Sequence, residues 1–210
     1  LSETYFEATQ YFRGAGVDYG NGSAPALSVA GSRVGNILTA ANYDSPADFS
    51  CQNNFIVYLT DGLPTQDVGA DAKIQALPNF ATQGGACDAV NPDPSWPGHG
   101  ACMVSLARYL HETDLRTTVP SRQNVTTYMI GFGDDIAAAK TWLDAVAVAG
   151  GTNESFTSNS VGGLANALSE IFANIVEGRD VTFTSPTLSV NAFNRTRNLN
   201  DLYVSVFSPA

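Results

Sequence analysis

Asp61 stands where a buried strand should end. Residues 55–59, Phe-Ile-Val-Tyr-Leu, form an apolar run rich in β-branched and aromatic side chains, and Thr60-Asp61-Gly62 follows at once. Open α/β sheets take their ligands in the crevice outside the C-terminal ends of the strands. Hard cations such as Mg²⁺ prefer carboxylate, hydroxyl and water oxygens. Asp61 is therefore the candidate metal-facing residue. An Asp-Gly pair also serves as a plain turn, and that role stands beside the functional one.

The other reactive side chains point to structure rather than catalysis. Three cysteines are present, Cys51, Cys87 and Cys102. Cys87 and Cys102 bracket a Pro/Gly-rich loop and form the natural disulfide pair, worth about 3 kcal/mol in the chain-entropy picture. Cys51 is left over, with a partner expected outside these residues. No CxxC or Cys/His spacing supports zinc. The two histidines, His99 and His111, have no Ser or Cys nucleophile at a recognisable spacing, and GxSxG, P-loop and HExxH motifs are absent. Asp134-Asp135 reads as a turn and helix N-cap rather than as a catalytic carboxylate pair. The sequence therefore argues against an enzyme. Sequons at Asn21, Asn124, Asn153 and Asn194, and the Gly178-Arg179-Asp180 tripeptide, carry no functional weight.

Composition narrows the class. Of 210 residues, 44% are apolar and only 14% charged, which describes a folded chain with a substantial core. Twenty acidic residues against ten basic ones leave a formal net charge of −10, which excludes a nucleic-acid partner. There is no apolar run long enough for a membrane span, and no signal peptide. Few lysines, with abundant Asn, Thr, Ser and Gly, suit an extracytoplasmic protein in which disulfides persist. Leu1 falls directly into a helical pattern with no Met or cap before it, so the expectation is an excerpt of something longer.

The elements that would position Asp61 follow from periodicity. Residues 1–13 read as an amphipathic helix with Leu1, Tyr5, Ala8 and Phe12 on one face. A long irregular insertion covers 14–50, with a helical turn near Val34, Ile37 and Leu38. After the 55–59 strand come a short helix at 69–77 and a second insertion at 78–100, where Pro92, Pro94 and Pro97 rule out regular structure. A helix at 102–112 places Met103, Leu106, Ala107 and Leu110 inward. Residues 125–132 form a second strand, followed by a helix over 136–149 with Ile136, Leu143, Val146 and Ala147 inward and Gly150-Gly151 as its C-cap. A short strand at 154–157 leads to a helix over 161–176 with Val161, Leu164, Leu168, Ile171, Phe172 and Ile175 at helical spacing. Strands alternating with helices mean a parallel sheet. Beyond Gly178 the pattern changes: Leu188, Val190 and Ala192, then Leu202, Val204 and Val206, alternate with polar residues as in a β-hairpin.

With those residues in place, the chain resembles a known family. The strand ending in Thr60-Asp61-Gly62 resembles the third loop of the metal-ion-dependent adhesion site of von Willebrand factor A-type domains. The stretch Cys51 to Val57, the segment Cys102 to Leu115, Trp142-Leu143-Asp144 with Gly150-Gly151, and the ending Phe183 to Pro209 resemble the PilY (or PilC) family of type IV pilus tip adhesins and biogenesis factors. The resemblance implies an α/β fold of the von Willebrand factor A type: a Rossmann-like, doubly wound, mostly parallel sheet, here lacking its N-terminal strands. It implies an A-like domain over 1–178 with insertions at 14–50 and 78–100, and a β-strand extension over 179–210 leading toward a further domain. It implies a Mg²⁺-type site, with Mn²⁺ or Ca²⁺ as alternatives, of which only the Asp61 loop is present. The Asp-x-Ser-x-Ser loop does not occur, and the loop Thr would precede Leu1. The implied role is adhesion and pilus biogenesis at the pilus tip, on the bacterial surface, with a host or surface ligand and minor pilins as partners and no insertion into the membrane. A structural or mechanosensing scaffold without a functional metal is the alternative.

Overall fold

The computed structural model describes residues 1–21, 28–87 and 98–177. Three strands form a parallel sheet in the order β1-β2-β3: β1 Asn54–Thr60, β2 Val125–Phe132 and β3 Phe156–Ser158. Asn54 pairs with Val125 and Thr60 with Gly131, so β1 and β2 are in step along the whole of β1. The short β3 pairs only with the end of β2, from Ile130 to Phe132. Around the sheet lie six α-helices among the described residues: α1 Ser2–Arg13, α2 Asp71–Gln75, α3 Phe80–Gln83, α4 Cys102–Glu112, α5 Lys140–Ala149 and α6 Val161–Glu177. The expected mixed α/β architecture with a parallel sheet is present.

Side chains of a strand alternate between its two faces, and here the two faces differ. Ile56 and Tyr58 of β1, with Val125 and Met129 of β2, point into the main core, where α1, α4 and α5 pack. The inward set expected for α4 is buried, as are Ile136, Leu143, Val146 and Ala147. Trp142 is also fully buried. Gly131 permits the approach of this layer: a Cβ there would lie 2.3 Å from Ile136 and 2.7 Å from Leu143. On the opposite face Phe55, Tyr128, Ile130 and Phe156 meet Leu164, Leu168, Ile171 and Ile175 of α6.

Several expectations need correction. On α6, two of the apolar residues at helical spacing lie outside the buried stripe: Val161 is 80% exposed and Phe172 58% exposed. The helix packs chiefly over β2 and β3, with Phe55 of β1 at its margin, so its buried stripe is narrower than its apolar one. On α1 the buried residues are Ser2, Tyr5, Phe6 and Thr9; Phe12 and Leu1 are only partly buried. A helix-capping glycine follows α1, with Gly14 left-handed at φ 61° and its N–H bonded back to the Tyr11 carbonyl. The expected glycine pair does close α5: Gly150 is the C-cap at φ −82°, and Gly151, at φ +90°, takes the left-handed conformation. Within the 78–100 insertion, α3 is a regular turn of helix before the proline-rich stretch. The hairpin expected beyond Gly178 lies outside the described residues.

Two charged side chains organise the described part of the 14–50 insertion, one half-buried and one buried. Glu7 on α1 accepts the backbone N–H groups of Asp18 and Tyr19 and the Tyr43 hydroxyl. Arg33, only 3% exposed, donates to the carbonyls of Gly20, Leu38 and Ala40 and to the side chains of Asn21 and Ser28. A guanidinium carries five donors and so can replace a small hydrophobic core in a segment this polar. Val29, Val34, Ile37 and Leu38 are left exposed on its outer surface.

Candidate functional site

Asp61 lies at the C-terminal end of β1, exposed, as expected. Its neighbour Thr60 is buried, and the Thr60 hydroxyl turns onto the loop, donating to the Gly62 carbonyl at 3.0 Å. That bond sets the turn and holds the Asp61 backbone at the rim of the sheet. The turn after β2 runs alongside: a Cβ on Gly133 would lie 3.5 Å from the Asp61 carbonyl oxygen. Asp134 opens a 3-10 helix over Asp134–Ala139, and the Asn159 amide donates to its carboxylate at 3.4 Å. Asp134 and Asp135 thus lie in the first turn of this helix, and its N-cap is Gly133 rather than an Asp. Ser160, after β3, completes this rim.

The rim has the oxygen chemistry that Mg²⁺ prefers, but not the number of ligands. Among the described residues no group of three or more His, Cys, Asp or Glu side chains converges as a metal site. Asp61 is one oxygen ligand, and the residues described here do not make a cation site by themselves.

A second acidic group lies behind this rim and was not legible in the sequence. Asp67 is buried and accepts the Ser2 N–H with both oxygens, at 2.9 and 3.1 Å, the Ser2 hydroxyl at 2.7 Å and the Leu1 backbone N–H at 3.1 Å. It thereby holds the N-terminus of α1 against the loop after β1. Burial pushes the Asp67 carboxyl up, but the hydrogen bonds with Glu3 and Ser2 outweigh it and hold the group below its ordinary value. No local pattern announces this contact, because its partners are more than sixty residues apart.

Asp71, at the start of α2, sits in the opposite situation. Burial, then the nearby charges of Asp67 and Glu3, push its carboxyl up to about 6, with His99 pulling the other way. It lines a cavity of about 600 Å³ with Gln75, Phe80, Ala86 and Cys87. Its folded-state value exceeds the ordinary carboxylate value, so the folded protein holds this proton more tightly than the unfolded chain. Stability from this group is complete below about pH 4 and declines as pH rises through 6. Asp71→Asn is expected to match the parent at pH 4 and to exceed it at pH 7. The gain is about 1 kcal/mol once the partial exposure of Asp71 is allowed for. Urea denaturation at the two pH values checks it, and equal stability at pH 7 contradicts it.

The cysteines divide as the spacing indicates. Cys87 and Cys102 form a disulfide, and Cys51 is free and exposed. His111 is 29% exposed and its Nδ1 lies 3.1 Å from Glu112, a surface pairing. His99 is half-buried. Asn124 donates to the His111 carbonyl, so that sequon side chain is engaged within the fold. No helix among the described residues is long and apolar enough to cross a membrane. In comparisons with known proteins, no family model, no curated protein and no solved structure matches this chain.

Proposed function

We propose that this chain is part of a von Willebrand factor A-type adhesion module of the PilY kind, at the tip of a type IV pilus on the cell surface. In this reading Asp61 supplies one ligand of a divalent cation, Mg²⁺ by preference, and loops outside the described residues supply the others. The partner is a host or surface ligand whose own carboxylate completes the cation's coordination. The observation that carries the proposal is the exposed carboxylate of Asp61 at the C-terminal end of a strand in a parallel sheet, where such sheets take ligands. The Cys87–Cys102 disulfide supports an extracytoplasmic setting. Asp61 makes no packing contribution that the fold needs, so Asp61→Ala is expected to keep the thermal transition of the parent and to lose divalent-dependent adhesion. Adhesion that survives the substitution, or that never depended on a divalent cation, contradicts the proposal.

A second reading, a scaffold that links tip subunits such as minor pilins, is favoured by a different observation. The insertion pinned by Arg33 presents Val29, Val34, Ile37 and Leu38 to solvent on an ordered frame. Fold alone does not separate the two readings. Ile37→Ser abolishing subunit contact while cation-dependent adhesion persists would favour the scaffold.

A further inference from the structure

The cavity beside the disulfide has no part in the adhesion reading. Its volume, about 600 Å³, is that of a small-molecule site. α2 and α3 form one side of it, and the turns before α4 form the other. The space exists because the chain surrounds it with residues of one side-chain carbon or none: Ala81, Gly85, Ala86, Gly98 and Ala101. Phe80 and the Cys87 half of the disulfide add to its apolar wall. Among the described residues, Asp71 and Gln75 bring the polar side chains.

Asp71 is left uncompensated there. It is half-buried, and its Oδ1 is enclosed with no hydrogen-bond donor among the described residues. The nearby cationic side chains turn elsewhere. Lys73 of α2 pairs with Asp18 at 2.6 Å, and Arg108 of α4, behind Gly85, donates to the Gly84 carbonyl at 2.9 Å. The charged groups that act on Asp71 are Asp67, after β1, and Glu3, on α1, which oppose its ionisation, and His99, which favours it. An ionised Asp71 therefore costs the fold stability at neutral pH. A ligand cation seated against it would reverse that cost. It would be attracted by Asp71 directly and by Asp67 and Glu3 behind it, in a recess partly shielded from water.

We propose that this cavity binds a small primary amine. The ammonium group donates to the Asp71 carboxylate and to the Gln75 side-chain oxygen, and an alkyl or aryl body lies against Phe80 and the alanine wall. An ammonium has three donors and no acceptor, which suits two oxygen partners at the polar end of an otherwise apolar space. The proposal does not rest on the cation reading at Asp61.

Calorimetry with phenethylamine tests it, beside the uncharged isostere phenethyl alcohol and the anion hydrocinnamate. The proteins are the 210-residue chain, Asp71→Asn and Asp61→Ala. Asp71→Asn keeps the side-chain shape and is expected to be the more stable protein at pH 7, so lost binding there is not lost folding. The expected result is saturable binding of the amine at about pH 7.5, about tenfold or more tighter than that of the alcohol, and none of the anion. Affinity falls about tenfold or more in Asp71→Asn and is unchanged in Asp61→Ala. Acidification to about pH 5 protonates Asp71, whose carboxyl is pushed up to about 6, and weakens binding by the parent about tenfold. A proton on His99 would act in the same sense, so the pH dependence is read in Asp71→Asn as well, where it is expected to flatten. No saturable binding by the parent overturns the proposal, as does equal affinity for amine and alcohol, or tighter binding of the anion. Binding or a pH dependence that survives Asp71→Asn overturns it too. Loss of binding in Asp61→Ala would move the amine to the rim and overturn it in the same way.

Discussion

Reduction of the Cys87–Cys102 disulfide is expected to cost the domain about 3 kcal/mol, which for a chain of this size lowers the thermal midpoint by roughly 6–12 °C. The bond spans a sequence separation of 15 residues. Its two ends differ in a way that adds to the loss. Cys102 is fully buried and begins α4, the helix with the most buried residues in the main core. Cys87 lies on the wall of the cavity beside Asp71. Without the bond, the chain before α4 is held chiefly by the hydrogen bond of the Ser105 hydroxyl to the Ala86 carbonyl and that of Arg108 to the Gly84 carbonyl. Denaturation of a Cys51→Ser protein with and without reductant measures the effect and excludes exchange with the free thiol. A midpoint unmoved by reductant contradicts the account of this region.

Asp67→Ala is expected to be comparably damaging, at about 2–4 kcal/mol. The substitution leaves the Ser2 N–H and hydroxyl without their acceptor at a buried position and releases the N-terminus of α1 from the loop behind Asp61. The sign of its pH dependence is opposite to that of Asp71. Asp67 is held below the ordinary carboxylate value in the fold, so its stabilisation is present above about pH 4 and is lost as pH falls through its folded-state value. The parent and Asp67→Ala should differ most at pH 7 and converge in strong acid. A difference that persists unchanged at pH 2 would mean that packing, not the carboxylate's charge, makes the contribution.

Local periodicity carried much of the fold. The α4 and β2 boundaries read from the sequence, 102–112 and 125–132, coincide with those of the structure. Both segments are buried almost throughout, so their apolar pattern has few exceptions. α6 was legible as a helix but not in its orientation, because Val161 and Phe172 continue the apolar pattern past the point where the sheet ends. The insertion at 14–50 read as irregular because its order comes from polar groups: Glu7 and Arg33 bind backbone, which leaves no hydrophobic period to detect. At the rim, Asp61 was visible because a strand precedes it directly. Asp67 and Asp71 were not, since what distinguishes them is burial against α1 and the disulfide loop, contacts that join distant parts of the chain.

The most direct test of the cation reading is a calorimetric titration of Mg²⁺ and Mn²⁺ into the protein carrying the residues that precede Leu1, beside its Asp61→Ala variant. The account predicts a saturable heat in the parent that is lost in the variant, with the thermal transitions of the two proteins alike in the absence of cation. Equal binding by both proteins, or binding by neither, would contradict a role for Asp61 as a cation ligand and leave the scaffold reading in its place.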